Sequence, residues 1–128
     1  MARMSHPSSS HGSHGSHGPS QPGQPLVVLL TAPDASTARV IARDLVGRHL
    51  AACVNLVPGA TSIYRWEGAV EETGEVLMVA KTCRARLAEL EAALLELHPY
   101  DVPEFVALEP AHVEARYRAW LEQETTAQ

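Results

Sequence analysis

Apolar positions in this chain first run together, then alternate, then recur at helical spacing, and the order of these patterns predicts a fold. Residues 26–30 read LVVLL, an uninterrupted apolar run ended by Thr31-Ala32-Pro33-Asp34, which suits a strand buried on both faces. Asp34 is placed to cap a helix, and Ala38, Ile41, Ala42, Leu45, Val46 and His49 then recur on one side of it. Over residues 51–83 the pattern changes. β-branched and aromatic residues lie on either side of Glu67-Gly68, with Val54, Leu56, Val57, Thr61, Ile63, Tyr64 and Trp66 before it and Val70, Val76, Leu77, Met78 and Val79 after it, which is the pattern of a hairpin.

Beyond the hairpin, Thr82 reads as the cap of a second helix carrying Leu87, Leu90, Leu94 and Leu97, and His98-Pro99 stops it. Pro103 is tolerable at a strand start or edge, so residues 104–108 read as a short edge strand. Pro110 suits a first helical turn, and Val113, Tyr117, Trp120 and Leu121 mark the apolar stripe of a last helix. The predicted order is βαββαβ followed by a further helix. That is the α+β, ferredoxin-like arrangement, an antiparallel sheet with both main helices on one face, here with a long hairpin and an added C-terminal helix.

The hairpin is long for its domain. Each arm of roughly 15 residues would extend on the order of 50 Å, against about 22 Å for a helix of the same residue count. It must either overhang the helices or fold back at the Pro58-Gly59 or Thr73-Gly74 breaks. A bare two-stranded ribbon is marginal in water, so an overhanging tip bearing Ile63, Tyr64 and Trp66 calls for a cover, and a second copy of the chain is the nearest supplier.

Composition narrows the setting. Residues 1–25 are rich in Ser, Gly, Pro and His, offer nothing apolar to bury after Met4, and read as a disordered tail; residues 26–128 form the one folded domain. Within the tail, His11, His14 and His17 recur every third residue, a spacing that lines one side of a polyproline II helix and can hold a transition metal loosely. A solvated leader with adventitious metal affinity is the plainer alternative. From Leu26 onward nine basic side chains face fifteen acidic ones, a net of −6, which argues against nucleic acid as a partner. No apolar run reaches the roughly 18 residues of a membrane span and no secretory signal is evident, so a cytoplasmic protein is expected. Cys53 and Cys83 form no CxxC pair and fit reduced thiols, with Cys53 buried in a strand as a small hydrophobe and Cys83 the more accessible of the two.

Four segments in this order, TAPD, LAACVNLVPGATSIYRWEG, EVLMVAKT and HPYDVPE, followed by Y-x-x-W, closely resemble the CutA divalent-cation tolerance family. The resemblance covers nearly everything from Leu26 to Leu121. It implies a ferredoxin-like subunit, a homotrimer built through extended hairpins, no established enzymatic activity, an association with copper and other divalent metal ions, and an architectural likeness to the trimeric PII signalling proteins. Some relatives place a Cys before TAPD and a second His before HPY. Here those positions are Leu30 and Leu97, and of that set His98 alone remains.

The candidate metal ligands are therefore His98, with Glu75 and Cys53 as partners if they approach it or if a threefold interface gathers copies of His98. The alternative for His98 is structural: at the end of a helix it caps the last carbonyls and fixes the HPY turn, where the helix dipole favours its protonated form. Glu75 and Lys81 lie six residues apart on one strand and point to the same face. Together with Tyr100, Glu104, Trp66 and Tyr64 they suggest a polar interface pocket for an anion or small metabolite, or else interchain ion pairs that set the register of a trimer. No Gly-rich phosphate loop, nucleophile elbow or metalloprotease motif occurs, and catalysis is not expected. Three functions fit this reading: a metal-binding tolerance protein, a PII-like metabolite sensor, and a non-catalytic assembly scaffold.

Overall fold

The computed structural model describes residues 21–126. Its elements are β1 (Pro25–Ala32), α1 (Ala35–Gly47), β2 (Cys53–Trp66), β3 (Ala69–Cys83), a 3-10 turn (Arg84–Arg86), α2 (Leu87–Leu97), β4 (Val106–Leu108) and α3 (Ala115–Glu124). One antiparallel sheet has the order β2-β3-β1-β4. The expected βαββαβ order followed by a helix is the order observed. Among the described residues no helix is long and apolar enough to cross a membrane.

Strand alternation decides which side chains form the core. Leu26, Val28 and Leu30 of β1 and Val76, Met78 and Ala80 of β3 turn to one face and are buried. Ala38, Ile41 and Leu45 of α1 and Leu90, Ala93 and Leu94 of α2 cover most of that face, in one cluster. The LVVLL run is thus buried on one face only: Val27 and Leu29 are half-buried, because both main helices lie on the same side and an antiparallel sheet leaves its other face open. At the head of α1, Asp34 Oδ1 accepts from the Thr37 amide at 2.8 Å and the Ser36 hydroxyl at 3.0 Å, as a cap should. Val46, expected on the apolar side, is exposed. His49 lies past the helix end at φ 59° and its Nδ1 pairs with the Glu124 carbonyl at 2.9 Å.

The hairpin does not fold back. Pairing runs from Cys53 opposite Lys81 to Trp66 opposite Ala69, and Glu67 (φ 50°) and Gly68 (φ 83°) close it with two successive left-handed residues, the turn that suits strand twist. Only Pro58-Gly59 perturbs the register: two residues of β2 stand opposite Val76 alone, with Gly59 at φ 83°. Thr73 and Gly74 pair without interruption. On its other side β3 is paired with β1 only from Val76 to Cys83, so residues 69–75 project beyond β1 by roughly 24 Å at about 3.4 Å per residue.

Three boundaries differ from expectation. Thr82 belongs to β3, where its buried hydroxyl donates to the Leu50 carbonyl at 2.7 Å, and α2 starts only after the 3-10 turn. Pro110 precedes α3 by five residues; Glu114 is the cap, accepting from the Tyr117 amide at 2.8 Å. The edge strand spans only Val106–Leu108. Along α3, Leu121 is buried with Ala52 and Cys83, whereas Tyr117 and Trp120 stay partly exposed. Cys83 is the buried thiol, 4% exposed, and Cys53 is the half-buried one, the reverse of expectation, because α3 closes over Cys83.

The tail expected over residues 1–25 lies outside the described residues as far as Ser20, and with it His6, His11, His14 and His17. Of its remainder, Pro25 already pairs with Cys83, and the carbonyls of Gln24 and Pro22 accept from the amides of Arg84 and Ala85, each at 2.9 Å.

Candidate functional site

The end of α2 delivers His98 to the point where β1 stops. The His98 amide donates to the Leu94 carbonyl at 2.8 Å, which closes the helix, and its ring is buried. Nδ1 accepts from the Tyr100 amide at 3.1 Å, so the ring proton resides on Nε2, which donates to the Thr31 carbonyl at 2.6 Å. Both nitrogens are thereby engaged with the main chain, and the ring is neutral. Burial holds its pKa below the usual histidine value, outweighing the Thr31 carbonyl, which favours the charged form. The helix terminus therefore does not dominate its titration.

The bend made by His98 places Tyr100 over the sheet, ring against ring with His98 at a centroid distance of 4.6 Å. The Tyr100 hydroxyl donates to Glu75 Oε2 at 3.0 Å. Glu75 is buried just beyond the end of β1, the first β3 residue past its pairing with that strand. The next stretch of chain brings Glu104 close by. Burial raises the pKa of its carboxyl, and the charge of Glu75 raises it further.

The same stretch meets the underside of the hairpin tip. A half-open cleft of about 390 Å³ is lined by Tyr64, Arg65 and Trp66 on one side and by residues 102–106 on the other. Tyr64 is steadied by a 3.1 Å hydrogen bond between its hydroxyl and that of Thr73. His98, Glu75, Tyr100, Glu104, Trp66 and Tyr64 thus fall in one region at the top of the sheet. Phe105 and Val102 also line the cleft and are absent from the expected set, although their position within five residues after HPY is a signal. The Thr31 carbonyl gives none, since its role depends on where β1 ends relative to α2.

Lys81 and Cys53 lie at the other end. They face each other in register near the base of the hairpin, where the Lys81 ammonium donates to Asn55 Oδ1 and approaches Cys53 Sγ at 3.7 Å. Lys81 shares a face with Glu75, but six residues of strand put about 20 Å between them, so the expected grouping of these two charges does not occur. Cys53 is likewise remote from His98. A divalent cation bound through imidazole, thiolate or carboxylate needs three or four ligands. Among the described residues no three His, Cys, Asp or Glu side chains converge within one chain, and His98 has no free nitrogen to offer, so the described residues of a single chain do not fit a metal centre.

Comparison with known proteins matches residues 26–124 to the CutA1 divalent ion tolerance protein family. The divalent-cation tolerance protein CutA of Thermus thermophilus is 50% identical over 99 residues, which cover 77% of this chain and 96% of that protein. A solved structure of the protein from that organism superimposes with a TM-score of 0.78, covering 80% of this chain and 99% of that one. CutA1 from Oryza sativa, 36% identical, gives 0.79 over 82% and 96% of the two chains. This chain thus shares its overall fold with these solved structures and is a member of the CutA1 divalent ion tolerance family.

Proposed function

We propose that the chain acts as a homotrimer in the response to divalent metal ions, copper among them, without catalysing a reaction, and that any cation it holds in its folded domain is bound between copies. The observation that carries the reading is the seven-residue overhang of β3 beyond β1, with Ile63 and Val70 each 66% exposed near its tip. Apolar residues on an unsupported ribbon are unfavourable in water, and a second copy removes them from it. Val57, Val106, Leu108, Tyr117 and Trp120 add further exposed apolar surface. The number three rests on the family resemblance. A site between copies is favoured because the described residues of one chain gather too few ligands while Glu75 and Glu104 stand close together beside the overhang.

Light scattering coupled to size-exclusion chromatography tests the assembly: a mass of three 13.8 kDa chains is expected, and a monomer overturns it. Calorimetric titration with Cu(II) on a chain beginning at Gln21 tests the site. A stoichiometry of one ion per chain that survives dissociation into monomers would show a site within the chain.

A further inference from the structure

The cleft beneath the hairpin tip has a chemical sense that differs from the one expected of it. Lys81, the cation that suggested an anion site, is at the far end of the sheet, and the charged group left on the cleft wall opposite the hairpin is the Glu104 carboxylate. Among the described residues no basic side chain forms an ion pair with it. Arg65 also lines the cleft, but strand alternation turns its side chain to the face opposite Tyr64 and Trp66, and it is exposed. The other lining groups are Tyr64, Trp66, Phe105, Val102, Pro103 and Val106, so three aromatic rings and one acid set the character of the space. Its volume of about 390 Å³ suits a small organic molecule.

Two independent physical effects select the sign of the ligand's charge. Aromatic faces carry a negative quadrupole and attract ammonium groups. The Glu104 charge is opposed by its burial and by Glu75, and a cation beside it relieves both, whereas an anion would add to them. We propose that this cleft binds a small organic ammonium ion, with the cationic head lying against Trp66 and Tyr64 and beside Glu104. The cleft lies on the face of the hairpin opposite Ile63 and Val70, so occupancy does not depend on whether a second copy covers those two.

Three probes of one shape and different charge test it: choline, its neutral isostere 3,3-dimethylbutan-1-ol, and 3,3-dimethylbutanoate. The chain has two tryptophans, so the full chain carrying Trp120→Phe reports through Trp66 alone. Choline should give a saturable change in emission, the alcohol should bind about tenfold or more weakly, and the carboxylate should give no saturable change. In Glu104→Gln, with folding verified by circular dichroism, the preference for choline over the alcohol should collapse to nearly one. The proposal is overturned if choline produces no saturable change, if the alcohol or the carboxylate matches choline, or if the preference survives in Glu104→Gln. Because the three-probe series is read on the unaltered cleft, it decides the matter even if that variant does not fold.

Discussion

The Tyr100 hydroxyl donates to Glu75 Oε2 at 3.0 Å, joining the turn after α2 to the first residue of β3 that lies beyond β1. This hydrogen bond ties the base of the overhanging hairpin to the domain. Tyr100→Phe should destabilise the protein by about 1.5 to 3 kcal/mol, the usual range for losing a hydrogen bond to a charged group. Urea denaturation followed in parallel for Tyr100→Phe and parent checks it, and superimposable curves would show that the bond contributes nothing net.

His98 should remain neutral and Nε2-protonated in the folded protein. Its folded pKa lies below the unfolded value of about 6.5, so the unfolded state takes up its proton first as pH falls. Stability from this group is complete above about pH 6.5 and is lost as pH drops from there through the folded pKa. Glu104 acts in the opposite sense: with its folded pKa raised, its contribution is present at low pH and declines as pH climbs from about 4.5 through the raised value. Nitrogen-correlated NMR of the His98 ring should show a proton on Nε2 only. A doubly protonated ring at about pH 6.5, the ordinary histidine pKa, contradicts the geometry.

Assembly through the overhang predicts a separation of folding from association. Ile63→Asp combined with Val70→Asp places charges where the single chain leaves both side chains two-thirds exposed, so the subunit core should be undisturbed. Far-ultraviolet dichroism should be unchanged while the scattering mass falls. The parent's melting temperature should rise with protein concentration and the variant's should not. An unchanged mass in the variant would remove the overhang from the interface.

Trp66→Ala should cost less than the loss of a fully buried aromatic, about 3 to 5 kcal/mol per subunit, because Trp66 is half-buried and its open side faces the cleft. A loss in that full range, seen by thermal denaturation at high protein concentration, would show that a second copy fills the cleft side of Trp66.

Apparent copper affinity of the full chain should come chiefly from His6, His11, His14 and His17, since Leu30 and Leu97 stand where some relatives carry thiol and imidazole. Deleting residues 1–20 should weaken Cu(II) binding by about tenfold or more, and binding by the full chain should fall below the ordinary histidine pKa of about 6.5 as the imidazoles protonate. Calorimetry on the two chains at about one pH unit above and one below that value distinguishes this from a domain site, which deletion would leave intact.

Element order, the two-residue closure at Glu67-Gly68, the cap at Asp34 and the stop at His98-Pro99 were all legible in the amino-acid sequence. Each depends on local backbone preference or on a period of apolar residues, and both are written within a few residues. It also suggested the overhang, since that follows from counting residues at about 3.3 Å each in a strand against about 1.5 Å in a helix. Which chemical groups meet depends instead on the packed fold. Glu75 and Lys81 share a strand face yet lie at opposite ends of the sheet, because alternation dictates the face and register dictates the neighbour. Thr82 went to the strand instead of the helix because the Leu50 carbonyl needed its hydroxyl, and Glu114 replaced Pro110 as the start of α3 because its carboxylate reaches the Tyr117 amide. His98 is a residue type that can either bind a metal or hold a turn. The choice fell to the Thr31 carbonyl and the Tyr100 amide, two backbone groups that come within reach only when β1 and α2 end at the same height.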